Sequence, residues 1–255
     1  MLEKDHLDQP WDGGRTVDPE QIERFQRLAG EWWNPDGRFR GVHKINEVRR
    51  DYIVSRIARH FGRDRDGEDA FAGLKILDVG CGAGLLCEPL AERGAAVVGI
   101  DPTARNIEIA LLHAAERGVP VAYRHCLAEH VLEAGERFDV VLNTEVVEHV
   151  ADPGQLMKEC SELVKPGGFM IVATLNRTAR SFVLAIVGAE YVLRWLPRGT
   201  HDWRRFLRPG QIRAMIRRHG LRTREVMGMS YNPIAGRWRL SRDTGVNYLL
   251  LATKA

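Results

Sequence analysis

The sequence predicts an α/β fold built on a doubly wound, mainly parallel sheet. Three observations predict it: segments with strand and helix patterns alternate from residue 74 to residue 174, the connections are short, and a glycine-rich turn follows the first strand. Such alternation places helices on both faces of a parallel sheet. The 255 residues, 44% hydrophobic and 28% charged, can bury a core without disulfides or zinc.

The order of elements follows from local patterns. Asp18-Pro19 begins a helix whose apolar spacing continues to about Trp33, and a second helix covers about 45–61. The predicted strands are 74–79, 96–100, 121–125, 138–143 and 169–174, and the helices between them are 84–93, 103–117 and 153–164. A helix at 211–219 and two strands at about 222–227 and 246–252 complete the order.

These elements divide the chain into three parts. Residues 1–18 are polar and are predicted to be flexible, 19–62 form a helical lid segment, and 74–255 form the sheet domain. The alternation is interrupted after the fifth strand by a basic amphipathic helical insertion at 176–209. Glu190 and Arg194 are four residues apart there, which supports a helix.

Composition excludes several classes of protein. The four cysteines show no C-x-x-C pair, which indicates reduced thiols in a cytoplasmic protein. The first residues contain no apolar segment of the kind that a secretory signal requires. The longest apolar stretch, 182–189, is far shorter than the roughly 20 residues of a membrane-spanning helix. We therefore expect neither a secreted nor an integral membrane protein.

Positive charge is concentrated in one segment. Twelve arginines and only two acidic residues lie between Arg177 and Arg224, although the whole chain has a net charge of only +3. This asymmetry points to an anionic partner: a membrane surface, a nucleic acid or an acidic protein. A solvated helical face is the alternative. Aromatic residues in the segment are mixed with aliphatic ones rather than arranged for base stacking, so nucleic acid is not expected.

The turn after the first strand has the pattern of a nucleotide site. Its residues, Asp78-Val79-Gly80-Cys81-Gly82-Ala83-Gly84, lead into a helix, and the second strand ends at Asp101, where an acid can accept hydrogen bonds from a ribose diol. A glycine turn without any ligand is the alternative. Asp78 lies two residues before Gly80, where it disfavours a pyrophosphate and favours a cationic amine such as that of S-adenosylmethionine. We therefore assign cofactor binding to Gly80, Gly82 and Asp101.

Three side chains after the fourth strand form a candidate reaction site. If the segment is helical, Glu145, Glu148 and His149 share one face and could bind one divalent ion with open positions. Alternatively, Asp152-Pro153 only begins the next helix. His149 could act instead as a general base. One ring nitrogen cannot fill both roles, and the sequence does not choose between them.

Beyond the glycine turn, the sequence resembles the Rossmann-like class I S-adenosylmethionine-dependent methyltransferases, and within them the ubiquinone-biosynthesis O-methyltransferases. The resemblance covers about residues 20–252. The narrower resemblance is carried by seven segments: Trp32–Gly37, His43–Arg49, Thr174–Arg177, Val187–Tyr191, Pro197–Trp203, Tyr231–Pro233 and Val246–Tyr248.

The resemblance implies a function and a set of site residues. It implies methyl transfer from S-adenosylmethionine to hydroxyls of a polyprenylated phenol or catechol, at two steps of ubiquinone synthesis. It implies cofactor binding by Arg49 and Thr144 in addition to Gly80 and Asp101. It also implies magnesium at Glu145, Glu148 and His149. The sheet domain is then the methyltransferase domain, and 19–62 is a lid over the cofactor.

A membrane-borne substrate gives the basic insertion a function. Its arginines Arg177, Arg180, Arg194 and Arg198 could contact anionic lipid, with Trp195 at the headgroup level. A buried core helix is the alternative. We therefore expect a cytoplasmic protein bound peripherally to the inner face of the membrane, with other enzymes of the pathway as candidate partners. The alternative functions are a methyltransferase for a soluble small molecule and a basic nucleic-acid-binding protein.

Overall fold

In the computed structural model, which describes residues 14, 16–34, 36–37, 40–183, 202–232 and 236–255, the centre is an eight-stranded sheet. Its strands are β1 (Lys75–Val79), β2 (Ala96–Asp101), β3 (Val121–His125), β4 (Phe138–Thr144), β5 (Val164–Leu175), β6 (Leu221–Asn232), β7 (Arg237–Ser241) and β8 (Asn247–Lys254). The strand order is β3-β2-β1-β4-β5-β8-β6-β7. The first five strands pair in parallel, and β8, β6 and β7 extend the sheet in antiparallel fashion.

Helices cover both faces of the sheet. They are α1 (Pro19–Leu28), α2 (Arg40–Phe61), α3 (Cys87–Ala91), α4 (Ala104–Arg117), α5 (Ala128–Glu133), α6 (Pro153–Leu163), the single turn α7 (Ala179–Ser181) and α8 (Pro209–Arg217), with 3-10 turns at Ala29–Glu31 and Trp203–Arg205. Buried side chains of α2, α3 and α4 pack on one face, and those of α5, α6 and α8 on the other. The predicted doubly wound α/β fold is confirmed.

Alternating side chains of each central strand supply the two cores. In β1, Ile76 joins the cluster under α2 and α3, whereas Leu77 joins the cluster under α6 and α8. Successive side chains of a strand point to opposite faces, and both faces are covered, so the strands read as nearly continuous apolar runs. The carboxyl ends of β1, β2 and β4 therefore meet at one edge, where the chain turns toward the helices.

Several elements differ from prediction; α2 begins at Arg40 rather than at about 45, and β6 continues to Asn232 rather than to about 227. Helix α5 and strand β7 are absent from the predicted order. Helix α5 has six residues and β7 has five, and segments this short and of mixed polarity show no clear periodicity. Strand β5 begins at Val164 and includes the Lys165–Gly168 stretch that we expected only to end α6. Its pairing with β4 contains a shift in register: Val164 pairs with Phe138, whereas Phe169, five residues later, pairs with Val140, only two residues later. A side chain at Gly168 would lie 2.6 Å from the carbonyl oxygen of Asp139, so the strands approach too closely there for any other residue.

The predicted insertion at 176–209 lies partly outside the described residues. Residues 184–201 fall there, with Arg194, Trp195 and Arg198 among them, and with them most of the predicted helix. Among the described residues, no helix combines the length and apolar character that crossing a bilayer requires.

A partly exposed ion pair joins α2 to strand β6 of the sheet. Arg56 donates to both carboxylate oxygens of Glu225 on β6, at 2.6 and 2.8 Å, and the Tyr52 hydroxyl donates to Glu225 at 2.9 Å. These bonds hold the pKa of Glu225 below its usual value of 4.5, with the Arg56 hydrogen bond as the largest cause. Because Arg49 lies on the same helix about two turns before Arg56, this pair helps to hold the helix that carries a predicted site residue.

We expect Glu225→Gln to lower the free energy of unfolding by about 1–2 kcal/mol at pH 7, because it removes charge-assisted hydrogen bonds at a partly exposed site. The Glu225 pKa is depressed in the folded state. Its contribution is therefore complete above the unfolded value of 4.5 and disappears as the pH falls through the folded value. Urea titrations of the wild type and the variant at pH 7 and pH 4 measure the difference.

The matched control is Glu108→Gln, which removes the carboxylate of an exposed pair with Arg105 on α4. We expect a change below about 0.5 kcal/mol for this variant. Equal losses for the two variants would show that the α2 pair has no special role.

Candidate active site

A cavity of about 280 Å³ lies at the carboxyl ends of β1, β2 and β4 and is closed from the other side by α1, Trp32 and α2. Seven of the eight predicted site residues line it: Arg49, Gly80, Gly82, Asp101, Thr144, Glu145 and His149. Glu148 is not among the lining residues. The alternation of strands and helices thus brings together residues that are up to 100 positions apart in sequence.

The glycine turn follows a path that side chains would block. Gly80 and Gly82 have φ values of 73° and 54°, in the left-handed region that glycine adopts at least cost. A side chain at Gly80 would collide with Val146, which follows β4, and one at Gly82 would lie 3.0 Å from the Trp32 ring. The backbone of the turn is therefore packed between the β4 loop and the lid segment.

Asp101 holds the turn in place from the end of β2. Its buried carboxylate accepts hydrogen bonds from Gly82 N at 3.0 Å, Thr103 N at 2.8 Å and Asn106 Nδ2 at 3.2 Å. Burial raises the pKa of Asp101, and these hydrogen bonds oppose the rise. A carboxylate has about four acceptor positions, so this one can still accept a bond from a ribose hydroxyl.

Asp78 supplies an unpaired acid at the start of the turn. Its side chain is buried and lines the cavity; the Cys87 thiol donates to Oδ2 at 3.4 Å, while Oδ1 has no hydrogen-bond partner. Burial raises the pKa of Asp78 to about 7. A buried acid with an unused oxygen favours a cation, since a charged partner stabilises the ionised form. This arrangement fits the amine that the sequence predicted.

The thiol of Cys81, within the glycine turn, is not a reactive nucleophile at neutral pH. Cys81 lines the cavity, and burial raises its pKa to about 11, so at neutral pH it remains protonated and a weak nucleophile.

Two tryptophans fasten the lid segment over the turn. Trp32 Nε1 donates to Asn106 Oδ1 at 2.9 Å, and Trp33 Nε1 donates to the Ala83 carbonyl at 3.1 Å. The Trp33 ring stacks on His113 with centroids 3.5 Å apart, and His113 Nδ1 donates to the buried Glu88 at 2.8 Å. Sequence reasoning noted the Trp-Trp pair but missed its partners, because polar residues in the middle of a helix carry no signal of what they face.

A second fastening joins the lid to the segment before α8. Asp18 caps α1 by accepting from Glu20 N at 3.2 Å, and its other oxygen accepts from Arg205 Nη1 at 2.6 Å. The capping of α1 is the one that Asp18-Pro19 predicted.

The loop after β4 is not helical, so the expectation that Glu145, Glu148 and His149 share one helix face is wrong. Glu145 has a φ of 56°, a left-handed conformation that cannot continue a helix. A single turn follows, closed by His149 N donating to the Val146 carbonyl at 2.8 Å. Helix α6 begins only at Pro153, where Asp152 accepts from Gln155 N at 2.9 Å, as the alternative interpretation expected.

The three side chains of this loop have different surroundings. Glu145 accepts a hydrogen bond from Arg49 of α2. Glu148 is 2% exposed, and burial together with the Glu145 charge raises its pKa well above the usual value. His149 lines the cavity, with the Phe25 ring edge-on at 5.3 Å.

These surroundings do not fit a divalent ion. In the described part of the chain, no group of three or more His, Cys, Asp or Glu side chains is arranged to hold a metal. The Glu145 carboxylate forms an ion pair with Arg49, and Glu148 is not part of the cavity lining. Glu145, Glu148 and His149 therefore do not face a common point where an ion could bind. Magnesium binding by Glu145, Glu148 and His149 therefore stays a prediction that this arrangement does not support.

His149 forms a hydrogen bond to α1 through one of its ring nitrogens. Its Nδ1 donates to the Gln21 side-chain oxygen at 3.1 Å, which places the basic lone pair of the neutral ring on Nε2. Gln21 lies on α1, so the lid segment fixes the tautomer of the candidate base. Sequence reasoning did not identify Gln21, since it is 128 residues away.

The chain resembles known methyltransferases in sequence and in structure. Residues 43–226 match the family described as "Methyltransferase domain". Two relatives named ubiquinone biosynthesis O-methyltransferase are 54% identical, from Brucella anthropi, and 52% identical, from Parvibaculum lavamentivorans. Each alignment covers 94% of this chain and at least 95% of the relative.

Solved structures show the same fold at low sequence identity. Magnesium protoporphyrin IX methyltransferase from Synechocystis PCC 6803 with bound SAH aligns with a TM-score of 0.63 and 19% identity, covering 91% of this chain and 94% of that one. A plantazolicin methyltransferase aligns with a TM-score of 0.59 and 16% identity, covering 93% and 99%. The glycine turn, Asp78 and Asp101 line one cavity, and the relatives at 54% and 52% identity show that the chain belongs to the ubiquinone biosynthesis O-methyltransferase family of S-adenosylmethionine-dependent enzymes.

Proposed function

We propose that this enzyme transfers the methyl group of S-adenosylmethionine to a hydroxyl of a polyprenylated phenol or catechol in ubiquinone synthesis. The observation that carries the proposal is the mixed lining of the cavity: glycines and buried acids lie where β1 and β2 end, which we call the polar end, and mainly apolar side chains line the part that we call the apolar end. The apolar walls come from both helices of the lid segment and from β5 and β7, through Ile22, Phe25, Val42, Ile45, Leu175 and Trp238.

Each part of the donor has a matching group at the polar end. The methionine amine pairs with Asp78, and the ribose hydroxyls bind Asp101. Gly80 and Gly82 allow the donor to lie against the backbone of the turn, and Thr144 contacts it at the end of β4. Arg49, buried in the same cavity, is the cation for the donor carboxylate. Support for these assignments is that all of these groups line one cavity.

The acceptor enters the apolar end, where it meets the sulfonium in line. A phenol has a pKa near 10 and is a weak nucleophile at pH 7, so the reaction needs a base. His149 Nε2 takes the hydroxyl proton as the oxygen forms its bond to the methyl carbon. The bond from that carbon to sulfur breaks, and S-adenosylhomocysteine leaves. Apolar walls exclude water from the cationic donor.

Replacement of the base tests the mechanism. We expect His149→Gln to lower kcat by about 10²- to 10⁴-fold, because general-base catalysis contributes this much. Affinity for S-adenosylhomocysteine stays within about twofold, since the donor contacts lie elsewhere. Turnover is measured with labelled S-adenosylmethionine and a short-chain prenyl catechol, and affinity by calorimetry.

The control is Gln21→Leu, which keeps the His149 ring but removes the partner of Nδ1. We expect a smaller loss in kcat and a changed pH profile, since the tautomer is no longer fixed. Full turnover in His149→Gln would exclude His149 as the base. Failure of the wild type to methylate the catechol would defeat the proposed substrate.

Donor affinity is expected to depend on pH through Asp78. Its pKa of about 7 in the unliganded protein means that the carboxyl holds a proton at lower pH, while the amine pairs with the ionised form. Affinity for S-adenosylhomocysteine, which has the same amine, therefore falls about tenfold per pH unit below 7 and levels off above it. Calorimetric titrations between pH 5.5 and 8.5 measure this.

Asp78→Asn should abolish the pH dependence and weaken binding at pH 8 by about tenfold or more, because an amide cannot form the ion pair. Asp64→Asn, at an exposed position, is the control and should behave as the wild type. An unchanged wild-type affinity between pH 6 and 8 would contradict the role of Asp78.

We also propose that the enzyme binds peripherally to an anionic membrane, which gives access to a polyprenylated substrate. Phe182 and Val183, at the beginning of the predicted insertion, are 47% and 54% exposed. Further along the sequence, Arg213, Arg217, Arg218 and Arg222 are exposed on α8, at its C-terminal end and on β6. Exposed apolar side chains together with arginines are typical of a surface that contacts anionic lipid.

Sedimentation with phosphatidylglycerol vesicles tests this proposal. We expect binding at low salt that weakens above about 0.3 M salt, because the attraction is screened. Arg213→Glu with Arg217→Glu should reduce the bound fraction several-fold. The control pair, Arg50→Glu with Arg59→Glu, reverses exposed charges on α2 at the opposite face of the sheet and should not. No sedimentation of the wild type at low salt would refute the proposal.

A further inference from the structure

The ion pair between Arg49 and Glu145 joins two residues that line the cavity. Arg49, on α2, is 2% exposed and donates to Glu145 and to Asn46, while its Nε has no hydrogen-bond partner. Glu145 follows β4 in a left-handed backbone conformation. In the proposed function, Arg49 binds the donor carboxylate and Glu145 lines the cavity where the acceptor meets the donor.

The donor must compete for this guanidinium. The charge of Arg49 reaches Asp78, since it lowers the pKa of that carboxyl against the larger effect of burial. The amine and the carboxylate of S-adenosylmethionine are attached to one carbon atom. An amine at Asp78 therefore brings a carboxylate into the neighbourhood of Arg49, where Glu145 already occupies donor groups of the guanidinium.

We propose that Glu145 takes the place of the donor carboxylate in the unliganded enzyme, and that donor binding exchanges one carboxylate for the other on Arg49. This inference rests on the proposed function. A buried guanidinium without an anion is costly, so a resident carboxylate stabilises the empty site. The exchange leaves Glu145 unpaired in the cavity that it shares with His149. The acceptor then meets a different set of charges after the donor has bound than before.

Calorimetry with two ligands tests the exchange without any turnover. S-adenosylhomocysteine carries the amine and the carboxylate, whereas 5′-methylthioadenosine shares its adenosine and sulfur but lacks both. We expect Glu145→Gln to bind S-adenosylhomocysteine about three- to tenfold more tightly than the wild type, because the competing charge is gone. Affinity for 5′-methylthioadenosine should stay within about twofold.

A double-mutant cycle assigns the gain to Arg49. Arg49→Gln should weaken S-adenosylhomocysteine without affecting 5′-methylthioadenosine, and adding Glu145→Gln to it should give no further gain. Should Arg49→Gln fail to fold, the two-ligand comparison on Glu145→Gln decides alone; Glu145 is 30% exposed, so its replacement leaves no buried charge in its own place.

The outcomes separate this inference from the proposed function. A wild type that binds no S-adenosylhomocysteine defeats the function itself. A wild type that binds it, with unchanged or weaker binding in Glu145→Gln, defeats the exchange only. Equal gains for both ligands would show a general effect of charge in the cavity and would also overturn the exchange.

Discussion

The hydrogen bonds of the buried Asp101 carboxylate are the interaction on which the glycine-turn side of the cavity depends. The carboxylate accepts bonds from the glycine turn, from the start of α4 and from Asn106, and Asn106 in turn accepts from Trp32 of the lid segment. One acid at the end of β2 thus fixes the turn, a helix and the cover of the cavity relative to each other. The parallel strands β1 and β2 are neighbours, and Asp78 is paired with Gly99, two residues before Asp101. The two acids therefore lie at the same edge of the sheet.

The sequence was sufficient for the fold because its signals were local and strong. Strand and helix patterns alternate with short connections, and in the described residues each predicted strand is found within a few positions, apart from β5, which begins earlier, and β6, which continues to Asn232. Gly80, Gly82 and Asp101, which the sequence predicted to bind the cofactor, line one cavity, because the ends of neighbouring parallel strands bring them together; their binding of the cofactor stays a prediction. The boundaries of β5 were not predictable, because its irregularity depends on how it pairs with β4.

The reaction end was harder to predict. The expected common face of Glu145, Glu148 and His149 required a helix, and the left-handed backbone at Glu145 is not visible in the residue types. Gln21, which orients His149, and Asn106, which connects the lid to Asp101, are ordinary polar residues on helices. Their contribution depends on tertiary contacts between distant segments, and such contacts leave no periodic pattern in one sequence.

The ion pair between Asp18 and Arg205 joins the start of α1 to the segment before α8, and so bears on how a long apolar molecule enters the cavity. Asp18 lies at the beginning of α1 and lines the cavity, and Arg205 lies in the 3-10 turn that precedes α8. Neither this pair nor the tryptophan contacts involve hydrogen bonds between strands. Separation of α1 from the segment before α8 therefore breaks side-chain contacts and leaves every hydrogen bond between strands in place.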